Sequence, residues 1–105
     1  MHLTSKTSDV LQKERYYVYI LLSLKDLKFY IGFTTDLKKR LIEHAGGLVV
    51  STRIRRPFKL ICYEYFINKE DAKTRERFLK SGFGRKQLKL ALKKTLAELG
   101  YSSRN

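Results

Sequence analysis

The chain has 105 residues, 43% of them hydrophobic, with 23 Lys and Arg against 10 Asp and Glu and a formal net charge of +13. That is one domain's worth of chain, apolar enough to fold around one modest core, which excludes a disordered polyelectrolyte and a large insertion. No window approaches the roughly 20 apolar residues of a membrane span, so the expected partner of the charge is a polyanion, nucleic acid first, and no membrane. Charge predicts phosphate binding and is silent on cleavage. The single Cys62 has no internal partner for a disulfide and reads as a small buried hydrophobe.

Residues 1–15 lack the apolar stretch of a signal peptide and read as a mobile lead-in, with room for a short helix around Val10 to Tyr16; the cytoplasm is the expected location. Tyr16 to Leu24 (YYVYILLSL) is rich in aromatic and β-branched residues and apolar on both faces, the pattern of a strand covered on both sides. Lys25-Asp26 makes a turn, and Lys28 to Phe33 is the second strand of a hairpin. Ten residues separate Tyr19 from Tyr30, an even count that puts both on one face if no bulge intervenes. Thr34, Thr35 and Asp36 then open a helix whose apolar stripe is Leu37, Leu41 and Ala45, ended by Gly46-Gly47.

A basic loop over 48–57 carries Arg53, Arg55 and Arg56 before the only proline. Phe58 to Ile67 is a third strand, and Asn68 caps a second helix over Lys69 to Lys80. Gly82 and Gly84 break it, and Arg85 to Leu99 is a third helix with Leu88, Leu92, Leu96 and Leu99 inward and Gly100 as its stop. The order is ββαβαα, with one domain over 16–100 and a tail over 101–105.

Several positions carry chemistry. Glu76 shares a helix face with Ala72, Arg75 and Leu79, which points it toward the body of the protein, where a carboxylate needs a cation: a base such as Arg40, or a divalent metal. Arg40 and His44, at i and i+4, flank the stripe of the first helix. Arg suits bidentate phosphate contact and His moves protons near neutral pH, although a solvated face of a cationic helix is the plainer reading of His44. Tyr19 and Tyr30 supply phenols, which either pack or orient a water, and Gly32 lets a backbone or ligand approach closely. Arg85, Lys89 and Lys93 form a stripe opposite the leucines. With Lys86, Arg53, Arg55 and Arg56 they are the candidate DNA contacts, or simply solvated surface.

Tyr17-Val18-Tyr19 and Tyr30-Ile31-Gly32 resemble the paired motifs that name the GIY-YIG nuclease superfamily. Arg40, His44 and Glu76, the last within DAKTRERF, resemble its next signatures in the same order, over about residues 16 to 94. The likeness is to the small single-domain members. It implies an α+β fold, a three-stranded antiparallel sheet flanked by three helices, and a metal-dependent phosphodiesterase acting on DNA. Tyr19 would activate or orient the attacking water, supported by Tyr30, while Arg40 would stabilise the phosphoryl charge and His44 would assist proton movement. Glu76 would hold Mg²⁺ or Mn²⁺; Val18, Ile31 and Gly32 belong to the motifs. Two positions depart from the pattern: Tyr17 stands where the name has Gly, and no Asn lies between Glu76 and Arg104, Gln87 being the nearest stand-in. The expectation is a divalent-metal-dependent DNA endonuclease, nicking or structure-directed, in DNA repair or processing. The alternative is a basic nucleic-acid-binding module that does not cut. Oligomeric state is open.

Overall fold

The computed structural model describes residues 14–101, so most of the lead-in, including Val10, and all of the tail beyond Tyr101 lie outside the described residues. Tyr16, the last residue of the expected short helix, instead opens the first strand. The elements are β1 (Tyr16–Ser23), β2 (Phe29–Thr34), α1 (Leu37–Ala45), a 3₁₀ turn (Arg53–Arg55), β3 (Phe58–Phe66), α2 (Lys69–Lys80), α3 (Gly82–Ala91) and α4 (Lys93–Glu98).

The sheet order is β2-β1-β3, antiparallel throughout. The central position of β1 explains why both its faces are apolar. Val18, Ile20 and Leu22 point to one side and form the core with Phe29, Ile31, Ala72, Leu79, Leu88 and Leu96. Tyr17, Tyr19 and Leu21 point to the other. The hairpin register sets Leu21 opposite Tyr30 and Tyr19 opposite Gly32, so the two tyrosines do share a face. Leu27, at φ 58°, and the Ser23 hydroxyl, which accepts from the Lys25 and Asp26 amides, close the turn. On the other edge the register shifts between Ile20 and Leu21, so Ile61 is an extra residue. That bulge re-aims β3: Leu60 and Tyr63, of opposite parity, both pair with the Tyr19 face.

Two elements depart from expectation. In α1 the apolar stripe is not what is buried: Leu37 and Leu41 are half-buried, Ala45 is exposed, and His44 is the buried residue. The reason is local, because the imidazole is fixed by partners at both nitrogens. The third helix is two helices. Ser81, not the glycines, breaks the chain; its hydroxyl accepts from the Gly84 amide, so Gly82 and Gly84 lie in the first turn of α3. A further break at Leu92 (φ −106°, ψ 23°) separates α3 from α4. The layers are therefore α1 with the 3₁₀ turn on one side of the sheet and α2, α3 and α4 on the other.

Candidate active site

Tyr19 leaves β1 and leans across the edge strand β2. A Cβ at Gly32 would fall on its hydroxyl and ring, so the close approach that this glycine permits is made by Tyr19 itself. A ligand or backbone does not occupy that space. The phenol ends at His44, with Oη 2.7 Å from Nε2, and His44 Nδ1 lies 2.8 Å from the Thr52 hydroxyl. Thr52 donates its own proton to the Val49 carbonyl at 3.4 Å. Its oxygen therefore accepts from Nδ1–H, which leaves a bare Nε2 to accept from the Tyr19 hydroxyl. All three residues are buried, Thr52 completely. Thr52 is absent from the sequence reading. It lies past Gly46-Gly47 in an irregular loop, where no periodicity ties it to His44.

Burial pushes the Tyr19 phenol up to about 12, opposed by the Arg40 guanidinium beside it and reinforced by the fields of Tyr30 and, weakly, Glu76. Burial also pushes the His44 imidazolium down, and Arg40 adds to that effect. Both groups are held neutral, as the hydrogen bond between them requires. Arg40 Nη1 is 3.1 Å from Glu43 Oε1 with its side chain 36% exposed, so a cation sits beside a buried phenol and still faces solvent. Tyr30 packs its ring 5.1 Å from His44 and 6.3 Å from Tyr19, flanking the pair.

Glu76 is 12% exposed, turned inward as its helix face predicts, but Arg40 is not its counterion. Lys80 Nζ lies 2.9 Å from one oxygen and Lys73 Nζ 3.7 Å from the other, both on its own helix. Lys73 in turn lies 4.2 Å from the centre of the Phe33 ring on β2. Among the described residues no group of three or more His, Cys, Asp and Glu is placed to hold a metal. A lone carboxylate does not suit zinc, which wants several nitrogen or sulfur ligands. It does suit Mg²⁺ or Mn²⁺ bound through one carboxylate, retained waters and a substrate phosphate.

The candidate DNA contacts separate into groups. Arg55 is spent on the fold: Nε is 2.7 Å from Asp26 Oδ2, and Nη2 donates to the Lys28 and Phe29 carbonyls. Its guanidinium holds the Asp26 carboxyl down at about 2. Arg56 donates to the Arg53 and Ala45 carbonyls, clasping the loop to the end of α1. Arg53 is exposed. Arg85, Lys86, Lys89 and Lys93 belong to the layer across the sheet from Tyr19, and the helix break at Leu92 divides their stripe. Val18 and Ile31 are core residues.

A model of the GIY-YIG catalytic domain family matches residues 15–89. A UPF0213 protein of Clostridium perfringens is 40% identical over 86 residues, 81% of this chain and 91% of that one. One from Staphylococcus saprophyticus is 38% identical over 78 residues, 73% and 94% of the respective chains. The solution NMR structure of a UPF0213 protein from Bacillus halodurans is 40% identical, with a TM-score of 0.48 over 75% of this chain and 85% of that one.

Proposed function

The chain belongs to the GIY-YIG family, whose catalytic domain implies nuclease chemistry, and on that premise we propose that it is a divalent-metal-dependent DNA endonuclease that nicks one strand. The observation that carries the reading is the buried line from the Tyr19 hydroxyl through His44 to Thr52, with Arg40 beside the phenol. It links a buried phenol and a bare imidazole nitrogen to a half-exposed cation, a proton acceptor and a positive charge at one place.

In the reaction the attacking water gives its proton to the Tyr19 oxygen as its own oxygen bonds to phosphorus and the bond to the leaving oxygen breaks, the leaving oxygen taking a proton from solvent water to end as a hydroxyl. Tyr19 passes its proton to His44 Nε2, so no free phenolate accumulates in a site that disfavours one. Thr52 holds the imidazole in the accepting tautomer through Nδ1–H. Arg40 faces the charge growing on the phosphoryl oxygens, where a planar guanidinium makes two parallel contacts. Tyr30 walls the imidazole and keeps it aligned. Glu76 would hold the divalent ion, Mg²⁺ or Mn²⁺, which supplies Lewis-acid neutralisation of the phosphate. One such site per chain cuts one strand. The cytoplasm and DNA repair or processing are the setting that fits this chemistry.

Tyr17 in place of Gly and the missing Asn favour the second reading, a module that binds without cutting. A nicking assay on supercoiled and branched DNA with Mg²⁺, Mn²⁺ or EDTA decides between them. We expect cleavage that needs the metal and is abolished by Glu76→Ala and Arg40→Ala. Tyr19→Phe should still bind DNA but cut about 10²–10⁴-fold more slowly, the usual size of a general acid–base contribution. Cleavage in EDTA, or at full rate in these variants, would sink the assignment. Salt-sensitive binding without cleavage of any substrate would establish the module.

A further inference from the structure

On the same face as Tyr19, the sheet carries three more tyrosines that the reaction does not use. Tyr17 lies on β1 one step along the Tyr19 face, and the register sets Tyr17 opposite Tyr65 and Tyr19 opposite Tyr63 on β3. The Tyr17 ring is 5.9 Å from that of Tyr63 and 5.7 Å from that of Tyr65. Tyr63 is 51% exposed and Tyr65 45% exposed. Scattered exposed aromatics are ordinary, but two rings that both pack on a third form a patch, and the register places this one next to Tyr19. Tyr17 is also the residue that stands where the family motif has Gly, so the departure from the motif is what completes the cluster.

We propose that Tyr17, Tyr63 and Tyr65 form a stacking platform for the unpaired bases of a single-stranded DNA segment that runs up to the cleaved phosphodiester. The inference rests on the reading of the chain as a DNA nuclease and names its substrate class. Bases in a duplex present only their edges; their faces are available to a tyrosine ring only when unpaired. Aromatic rings on an open sheet face, within a strongly cationic domain, match the two components of single-strand binding, stacking and backbone attraction. Arg40 lies beside Tyr19 at the inner end of the platform and meets the phosphate there. The chain's net charge of +13 favours a polyanion over an uncharged partner. Cross-strand aromatic pairs also stabilise sheets, and that role alone is the alternative the experiment must separate.

The test measures anisotropy of labelled oligothymidine, and of its duplex with oligoadenine, in EDTA so that nothing is cut. The chains compared are wild type, the Ala and Phe variants of Tyr17, Tyr63 and Tyr65, and melting temperatures are recorded for each. We expect each Ala substitution to weaken single-strand binding on the order of tenfold while duplex binding holds, and each Phe variant to bind like wild type. With seven tyrosines and no tryptophan, intrinsic tyrosine fluorescence should be quenched by oligothymidine and less so in the Ala variants. Ala variants that bind the single strand like wild type overturn the proposal, as would be seen if the face served a protein partner. Equal losses on single strand and duplex, or losses that follow only the melting temperature, also overturn it, and tighter binding of oligouridine would overturn the choice of DNA. If no substrate is nicked but the Ala losses appear, the nuclease reading fails and the platform stands. Nicking without those losses does the reverse.

Discussion

His44 spends both ring nitrogens inside the protein, on the Tyr19 and Thr52 hydroxyls, so its bare Nε2 takes a second proton only against burial and the charge of Arg40. Its folded pKa therefore lies below the ordinary histidine value, chiefly through burial and then through Arg40. The sign follows from linkage: the unfolded chain takes up this proton first, so the stability that neutral His44 contributes is complete above about pH 6.5 and is lost as pH falls toward the folded value. Asp26, held down at about 2 by Arg55, loses its contribution only in a separate window below about pH 4. Thermal melts of the wild type from neutral to mildly acidic pH should show a decline that is flattened in His44→Gln, with the later acid decline kept in both. A wild type indifferent to pH between about 7 and 5 would show that the imidazole is not held neutral. This pairing was only half legible in the sequence. The i, i+4 spacing brought Arg40 and His44 to one face, but spacing is blind to Thr52, whose place is set by a loop. Gly32 stood out in an apolar strand, yet what fills the space above it belongs to the neighbouring strand, and register is not written in β2 alone.

At the scale of elements, strands and caps were readable because each rests on local chemistry. Alternation and β-branching mark β1, Asp36 accepts from the Lys39 amide to start α1, and Asn68 accepts from the Asp71 amide to start α2. The glycines at 82 and 84 misled because glycine breaks a helix on average, whereas Ser81 had already broken it. Their roles differ sharply. A Cβ at Gly84 would meet the Phe78 carbonyl oxygen and lie 2.7 Å from the Leu79 Cα, while one at Gly82 would meet nothing within 4 Å. Gly84 is thus the contact that lets α3 fold back on the end of α2. Gly84→Ala should destabilise by about 1–3 kcal/mol, the range for overpacking against a backbone that cannot yield. Gly82→Ala should stabilise by up to about 1 kcal/mol, because it only restricts the unfolded chain at a helical position. Urea denaturation of the two variants checks this. The same sign for both would mean that the α2–α3 corner does not depend on close backbone approach.

Across the whole molecule, the sheet divides the labour. The apolar core and three helices lie on one side; Tyr19, His44, Arg40 and the tyrosine cluster lie on the other, with Glu76 turned inward from the helical layer. The order ββαβαα gave the layers, but composition gave only the total charge and not its distribution. The helical layer carries Lys86 and Lys93 on its outer surface, across the sheet from Tyr19, whereas Lys39 lines the depression that contains Arg40. If a short DNA strand lies on the Tyr19 side, these charges are unequal. Each phosphate neutralised steepens the dependence of log affinity on log salt by about 0.7 for a single strand and about 0.9 for a duplex. Lys39→Gln should then weaken binding of a short oligonucleotide and reduce the slope by about 0.7, the share of one phosphate. The double change Lys86→Gln with Lys93→Gln removes twice the charge, yet it should leave the slope nearly unchanged, because those ammonium groups meet solvent on the far side. A binding titration over several salt concentrations measures both. If the double variant loses more slope than Lys39→Gln, DNA tracks along α3 and α4 and the strand does not run along the Tyr19 side.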